Sequence, residues 1–182
     1  MNSFRVMAID LSYRDTGVCV LKKNQETVFM EKAVSYKNPE MGNGFESLKN
    51  CASNLNKLFS DLMNVVRTLP PDILIIEMPC FTQSAKSALA IGMLWGLAAR
   101  FQKAILIEPS ALKNWSESKR GDGKEKVKEK VLSRLHLLSS QSSNDNIVDA
   151  IGIALLFLDK INELKYETIK RQSDFRAFVL EN

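Results

Sequence analysis

Three acidic residues of this chain lie in strongly apolar segments, where a carboxylate is costly. Asp10 and Glu77 each end an apolar run, and Asp149 interrupts an apolar helical pattern at residues 147–157. A buried carboxylate needs a paired charge or a metal ion to offset its lost hydration. Three of them favour one shared site for hard divalent cations such as Mg²⁺, and a pair of such ions serves phosphodiester hydrolysis.

Each carboxylate also has an ordinary interpretation on its own. Asp10 could pair with the nearby Arg14 in a turn. Glu77 could meet solvent at the end of a strand, and Asp149 could lie on an exposed helix face. The joint placement of all three favours the shared site.

The composition is that of one globular domain. The chain has 182 residues, of which 45% are hydrophobic, and this length can bury a sizeable core. The longest apolar stretch, residues 147–158, is too short to span a bilayer, so we expect no membrane partner. The first residues lack the apolar run of a signal peptide. We therefore expect a cytoplasmic location, or the host cytoplasm if the protein is viral.

Cysteine and histidine usage excludes several kinds of site. Cys19, Cys51 and Cys80 are odd in number and lack CxxC spacing, which is typical of reduced thiols. His136 is the only histidine, so a histidine-rich zinc site is excluded and a Ser-His-Asp triad is disfavoured.

The positive charge is concentrated in one segment. The net charge of the chain is +4. Residues 113–134 hold eight basic and four acidic side chains, so the net charge of this segment alone is also +4. Such a field beside an acidic site favours a polyanion such as nucleic acid. The alternative is a solvated helix with i,i+4 ion pairs.

Hydrophobic periodicity predicts the element order β-β-β-α-β-α-β-α-α. Three strands close in sequence indicate an antiparallel meander, and two later strands separated by helices must enter parallel by right-handed crossovers. This predicts an α/β fold with a mixed five-stranded sheet and helices on both faces. If the first and fourth strands are parallel neighbours, Asp10 and Glu77 emerge at the same carboxyl edge. The last core helix has Asn144 or Ser143 as its cap.

The motifs, taken in order, resemble the RuvC-type Holliday junction resolvases of the ribonuclease H-like superfamily. The resemblance covers about residues 4–158 and rests on five segments. These are MAIDLSYRDTGV (7–18), DILIIEMPCFT (72–82), the small-residue helix at 84–99, GDGKEKV (121–127) and NIVDAIGIA (146–154). It implies a nuclease domain at residues 1–158, and we expect residues 159–182 to be a helical extension of that domain.

The resemblance implies a homodimer that resolves four-way DNA junctions by symmetric paired cuts, with two Mg²⁺ per active site, for which Mn²⁺ can substitute. Asp10 would bridge the ions, and Glu77 and Asp149 would each hold one side. The family has an acidic residue three positions before the last aspartate. Here that position is Asn146 with Asp145 beside it, so the fourth ligand is either of these two.

The residue types and the basic segment also offer candidates for contacts with DNA. Lys124 is expected near the attacked phosphate as a catalytic residue, where it would stabilise charge. Phe81 is expected to stack against a base at the junction, with core packing as the alternative. The further candidates in the basic segment are Trp115, Lys119, Arg120 and Lys128.

Three other functions fit the same residues. One is another ribonuclease H-like nuclease, acting on flaps, other branched DNA or RNA. The second is an actin-like nucleotide-binding protein, because residues 10–17 loosely resemble a phosphate loop, although this chain has length for one domain only. The third is a catalytically inactive DNA-binding module, which the departure at Asn146 leaves open.

Overall fold

The computed structural model describes residues 3–24, 27–39, 45–79, 85–118, 122, 124–135 and 144–163. In these ranges the chain forms five strands and five helices. The strands are β1 (Phe4–Asp10), β2 (Asp15–Asn24), β3 (Thr27–Lys37), β4 (Ile73–Glu77) and β5 (Ile105–Ile107). The helices are α1 (Phe45–Thr68), α2 (Ala85–Ala99), α3 (Pro109–Trp115), α4 (Glu125–Leu135) and α5 (Asp145–Glu163).

The strands form one mixed sheet in the order β3-β2-β1-β4-β5. β1, β2 and β3 are antiparallel neighbours, whereas β4 pairs parallel with β1 and β5 pairs parallel with β4. The predicted arrangement of three antiparallel and two parallel strands is confirmed. β1 takes the central position because its residues are apolar on both faces.

Helices cover both faces of the sheet, and β1 shows how its residues divide between two cores. Val6 and Ala8 pack with α3, α4 and α5, while Met7 and Ile9 pack with α1 and α2. This alternation follows from the two-residue period of a strand. The predicted helices on both faces are therefore confirmed.

α5 is the main cover of one face and packs closely against α3 and α4. A Cβ at Gly152 would lie 2.8 Å from Leu112 Cδ1, so the absence of a side chain there permits this approach. α5 continues beyond residue 158 to Glu163, and Asp159 accepts a hydrogen bond of 2.9 Å from Trp115 Nε1. Residues 159–163 are thus the last residues of α5. Residues 164–182 lie outside the described residues, so the extension at 159–182 stays a prediction.

The helix α3 has no counterpart in the predicted element order. It is too short to show an apolar period, and it begins at Pro109, whose fixed φ suits the first helical position. Among the residues that the structure describes, no helix combines the length and the apolar character that crossing a membrane requires.

Candidate metal-binding active site

Asp10 and Glu77 end neighbouring parallel strands at the same level of the sheet. Asp10 of β1 is the direct partner of Glu77 in β4, as Ala8 is of Ile75 two residues earlier. Ala8 and Ile75 belong to the core beneath α5, so the two-residue period turns both carboxylates toward that helix. The predicted meeting of Asp10 and Glu77 at one carboxyl edge is therefore confirmed.

Gly17 lets the first turn of α5 lie directly on the sheet beside these carboxylates. Gly17 is the β2 partner of Asp10, and a Cβ at this position would lie 1.9 Å from the carbonyl oxygen of Asn146. No real Cβ tolerates that distance, so only glycine allows the helix backbone to come this close. The contact sets how near Asp149, one turn further along, comes to the strand ends.

Asn144 fixes the same end of α5 by linking three elements. Its Oδ1 accepts hydrogen bonds from the backbone N–H groups of Asn146 (2.9 Å) and Ile147 (3.3 Å), so Asn144 is the helix cap. Its Nδ2 donates to Asp15 Oδ2 and to Ser35 Oγ, both at 3.0 Å. The side chain therefore joins the start of α5 to β2 and β3.

Asp149 projects from α5 into this region and is paired with Lys124. Asp149 is 9% exposed, and Lys124 Nζ donates to its Oδ2 at 2.5 Å. Lys124 directly precedes α4, and its carbonyl oxygen accepts the N–H of Lys128. The basic segment thus delivers one ammonium group to the acidic cluster.

The carboxylates resist ionisation in the protein without metal. Burial, aided by the charge of Asp149, raises the pKa of Asp10 to about 7. Burial and the charges of Asp10 and Asp149 raise the pKa of Glu77 to about 8. Burial also raises the pKa of Asp149, although Lys124 opposes the shift. Burial lowers the pKa of Lys124, but the hydrogen bond and charge of Asp149 outweigh this effect and leave it above its ordinary value.

The donor chemistry of the cluster suits a hard cation. Glu77 Oε2 is buried and accepts no hydrogen bond from the described residues, so none of them uses its lone pairs. Within the described ranges, however, no three acidic, histidine or cysteine side chains are already arranged to hold one metal ion. Mutual repulsion and the capture of Asp149 by Lys124 are physical reasons for this arrangement. The residue types fit Mg²⁺.

The two candidates for a fourth ligand lie in the first turn of α5. Asp145 is exposed, and its charge acts on both Asp149 and Lys124. Asn146 is half-buried, with its backbone over Gly17. The choice between Asp145 and Asn146 stays a prediction.

The candidate DNA contacts are only partly within the described chain. Phe81, Lys119 and Arg120 lie outside the described residues. Trp115 packs against the core beneath α5, and the ammonium of Lys130 lies 4.7 Å from its ring centroid. A ring held in this way would need to change its surroundings before a base could stack on it.

The sequence named Asn144 as a possible cap of α5, and this is confirmed, but it did not reveal Gly17 and Asp15 as residues that position the helix. The contact at Gly17 could have been predicted, because a glycine inside a strand often marks the close approach of another backbone. Asp15 gave no such indication, since its bond to Asn144 spans 129 positions. The Oδ1 of Asp15 is buried and has no hydrogen-bond partner among the described residues.

Sequence comparison finds no relative of this chain. No protein-family model matches it, and no curated protein matches it. Structural comparison, by contrast, finds solved proteins of the same fold. One is Thermus thermophilus RuvC in complex with a Holliday junction substrate, with a TM-score of 0.68 and 17% identity over 88% of this chain and 96% of that one.

Two further structures share the fold. The yeast mitochondrial Holliday junction resolvase has a TM-score of 0.59 and 14% identity, over 97% of this chain and 83% of the other. The fowlpox virus resolvase, in complex with Holliday junction DNA, has a TM-score of 0.50 and 14% identity, over 88% and 99% of the two chains. The resemblance predicted from the motifs is thus confirmed at the level of the fold, which is ribonuclease H-like.

Proposed function

We propose that this chain is a divalent-metal-dependent endonuclease that resolves four-way DNA junctions. One observation carries the proposal. Asp10 and Glu77 are paired in register at the carboxyl ends of β1 and β4, and α5 brings the buried Asp149 into electrostatic contact with both. The fold in which this occurs is that of proteins whose structures are described as resolvases on Holliday junctions.

The acidic residues would act as metal ligands. Asp10, Glu77 and Asp149 would hold two Mg²⁺ ions, with Asn146 or Asp145 as a fourth ligand. When bound, such ions supply charge stabilisation for the attacking and leaving oxygens of phosphodiester hydrolysis. The raised pKa values of the three carboxylates are consistent with this role. Carboxylates that lie close enough to share a cation repel one another when no cation is bound, and this repulsion favours their protonated forms.

Other residues of the chain would bind and orient DNA. The ammonium of Lys124 is near the carboxylates and would stabilise charge on the attacked phosphate. Lys128 lies one turn further along α4, where it would contact the backbone of the same strand. Lys119 and Arg120 would add positive charge for binding phosphates, and Phe81 would stack on a base. Trp115 would stack on a base only after giving up its hydrogen bond to Asp159.

A homodimer would match the twofold character of a four-way junction. The exposed face of α2 supports this part of the proposal, because its described side chains, at residues 88–99, are apolar or small. Leu89 and Trp95 on this face are 43% and 42% exposed. At Gly92 and Gly96, an added Cβ would meet nothing within 4 Å in the described chain. We name as the α2 stripe the exposed residues Ala88, Leu89, Gly92, Trp95, Gly96 and Ala99.

The test is cleavage of a synthetic mobile four-way junction with and without Mg²⁺. We expect symmetric paired cuts that leave 5′-phosphate ends and that require the metal. The Asp10→Asn variant should bind the junction but cleave it at least about 10³-fold more slowly, because one ligand charge is lost. A linear duplex, a flap and an RNA–DNA hybrid of the same sequence are the matched substrates.

Each rival function gives a different result in this assay. Equal cleavage of duplex, flap or hybrid would replace junction resolution with a broader nuclease activity. Junction binding without cleavage in Mg²⁺ or Mn²⁺ would indicate an inactive binding module. Thermal stabilisation by ATP without any cleavage would favour the nucleotide-binding alternative.

A further inference from the structure

The ion pair between Lys124 and Asp149 joins an exposed cation to a buried anion. Asp149 belongs to a core helix and its side chain is 12% exposed, whereas the side chain of Lys124 is 52% exposed. Lys124 lies at the start of α4, and its stem can turn toward solvent without disturbing a core. Of the two partners, Lys124 is therefore the one that can leave.

We propose that Lys124 is an internal counter-cation that competes with a divalent metal ion for Asp149. This inference rests on the metal-binding part of the proposed function. The ammonium lies 2.5 Å from Asp149 Oδ2, on the oxygen that a metal ion would need. A Mg²⁺ ion at its usual distance of about 2.0–2.1 Å from the same oxygen would repel the ammonium strongly. Asp149 Oδ2 thus holds either the ammonium or the metal.

Before a metal arrives, the competing ammonium offsets part of the repulsion within the cluster. The charge of Lys124 acts on Asp10 and Glu77 as well as on Asp149, and it favours the ionised form of all three. A single ammonium therefore serves as a monovalent substitute for the divalent ion. Metal binding displaces it and frees it to contact a substrate phosphate. Lys124 then reaches the phosphate only when the site is loaded.

The first test measures metal affinity in the absence of DNA. Mn²⁺ is titrated calorimetrically into the metal-free wild type and into Lys124→Gln, which keeps the length of the side chain but not its charge. We expect Lys124→Gln to bind Mn²⁺ about fivefold or more tightly, because the competing cation is gone. Its junction cleavage should nevertheless be slower. If Lys124 had a purely structural role, its replacement would not raise the affinity for Mn²⁺ while lowering the rate of junction cleavage.

Two variants control for charge. Lys126→Gln removes an equally exposed lysine of the same helix that pairs with Glu129 at 3.5 Å, and its affinity should stay within about twofold of wild type. Lys124→Arg keeps the competing charge and should also stay near wild type. Equal or weaker Mn²⁺ binding by Lys124→Gln would overturn the inference while leaving the proposed nuclease intact. If wild type binds no Mn²⁺, both fail.

The second test observes the displacement itself. The ¹⁵N-ammonium resonance of Lys124, assigned by its loss in Lys124→Gln, is followed during titration of the wild type with Mg²⁺. We expect it to shift and to broaden toward the fast exchange of a solvated lysine as the site fills. A resonance that stays unchanged at Mg²⁺ saturation would mean that Asp149 holds both cations together, and the inference would be wrong.

Discussion

At the scale of single residues, the cost of burying carboxylates is the feature that points to chemistry. Asp10 and Glu77 have raised pKa values because burial and neighbouring charges disfavour their ionised forms. Apolar residues at the two strand ends would avoid that cost. Ionisable side chains whose burial lowers the stability of the fold are typical of functional sites.

The raised pKa values predict that the metal-free protein loses stability as the pH rises. The ordinary values of Asp10 and Glu77 are 3.8 and 4.5, and the folded values are about 7 and about 8. Between about pH 4 and pH 8 the native state therefore binds more protons than the unfolded state. The free energy of unfolding in EDTA should fall by roughly 5 kcal/mol between pH 5.5 and 8.5, measured by urea denaturation.

Glu77→Gln is the matched variant for this measurement. An amide cannot ionise, so the variant should depend less on pH and should be more stable than wild type at pH 8.5 without metal. It should also lose cleavage. Saturating Mg²⁺ should restore stability to the wild type at pH 8.5 and have little effect on the variant. A metal-free wild type whose stability is flat or rises over this range would contradict the account.

At the scale of elements, the position of α5 decides whether the carboxylates act together. Asp10 and Glu77 are placed by strand pairing alone, but Asp149 depends on how closely a helix lies on the sheet. Gly17 permits that approach and Asn144 ties the first turn to β2 and β3. Neither residue is a candidate ligand, yet both set the separation of the acidic groups.

Gly17→Ala should therefore damage stability and activity together. The added methyl group would collide with the backbone of α5, so the helix must shift away from the strand ends. We expect a loss of about 2–4 kcal/mol in the free energy of unfolding and a large loss of junction cleavage.

Gly92→Ala is the control for the stability measurement. Within a single chain it places the same methyl group in open space on α2, so at protein concentrations where the chain is monomeric it should be neutral or stabilise by up to about 1 kcal/mol. If Gly17→Ala were as stable as Gly92→Ala, the close contact between β2 and α5 would not be the constraint described here.

The sequence revealed the elements of the site better than their connections. An apolar run ending in an acid identifies Asp10 and Glu77, and the crossover rules make their strands parallel neighbours. The ion pair of Lys124 with Asp149 spans 25 positions, and the bond from Asn144 to Ser35 spans 109. No local sequence pattern predicts such pairs of residues, because they form only when helices and strands pack together in the tertiary structure. The helix α3 was missed for a different reason. It is a local element, but it is too short for a helical period to appear in its sequence.

At the scale of the whole molecule, the α2 stripe is the surface that a second copy would cover. Exposed apolar residues at helical spacing are typical of an interface, and two copies of one face make a twofold dimer. A dimer formed through this stripe would hold two active sites in twofold symmetry, as the proposed paired cuts require.

Trp95→Glu should convert the proposed dimer to a monomer, because it would bury a charge at the centre of the proposed interface. Sedimentation equilibrium measures the mass, and the cleavage assay should show single nicks in place of paired cuts. Phe29→Glu is the control, since Phe29 is 52% exposed on β3, away from the stripe. A Trp95→Glu protein that remains dimeric would exclude this face as the interface.

The most direct test of the central claim is the anomalous scattering of Mn²⁺ in crystals of the wild-type protein. The account predicts anomalous density bounded by the carboxylate oxygens of Asp10, Glu77 and Asp149, with Lys124 displaced from Asp149, and no such density in Asp10→Asn crystals. Strong density elsewhere, or none near these three residues at saturating Mn²⁺, would contradict it.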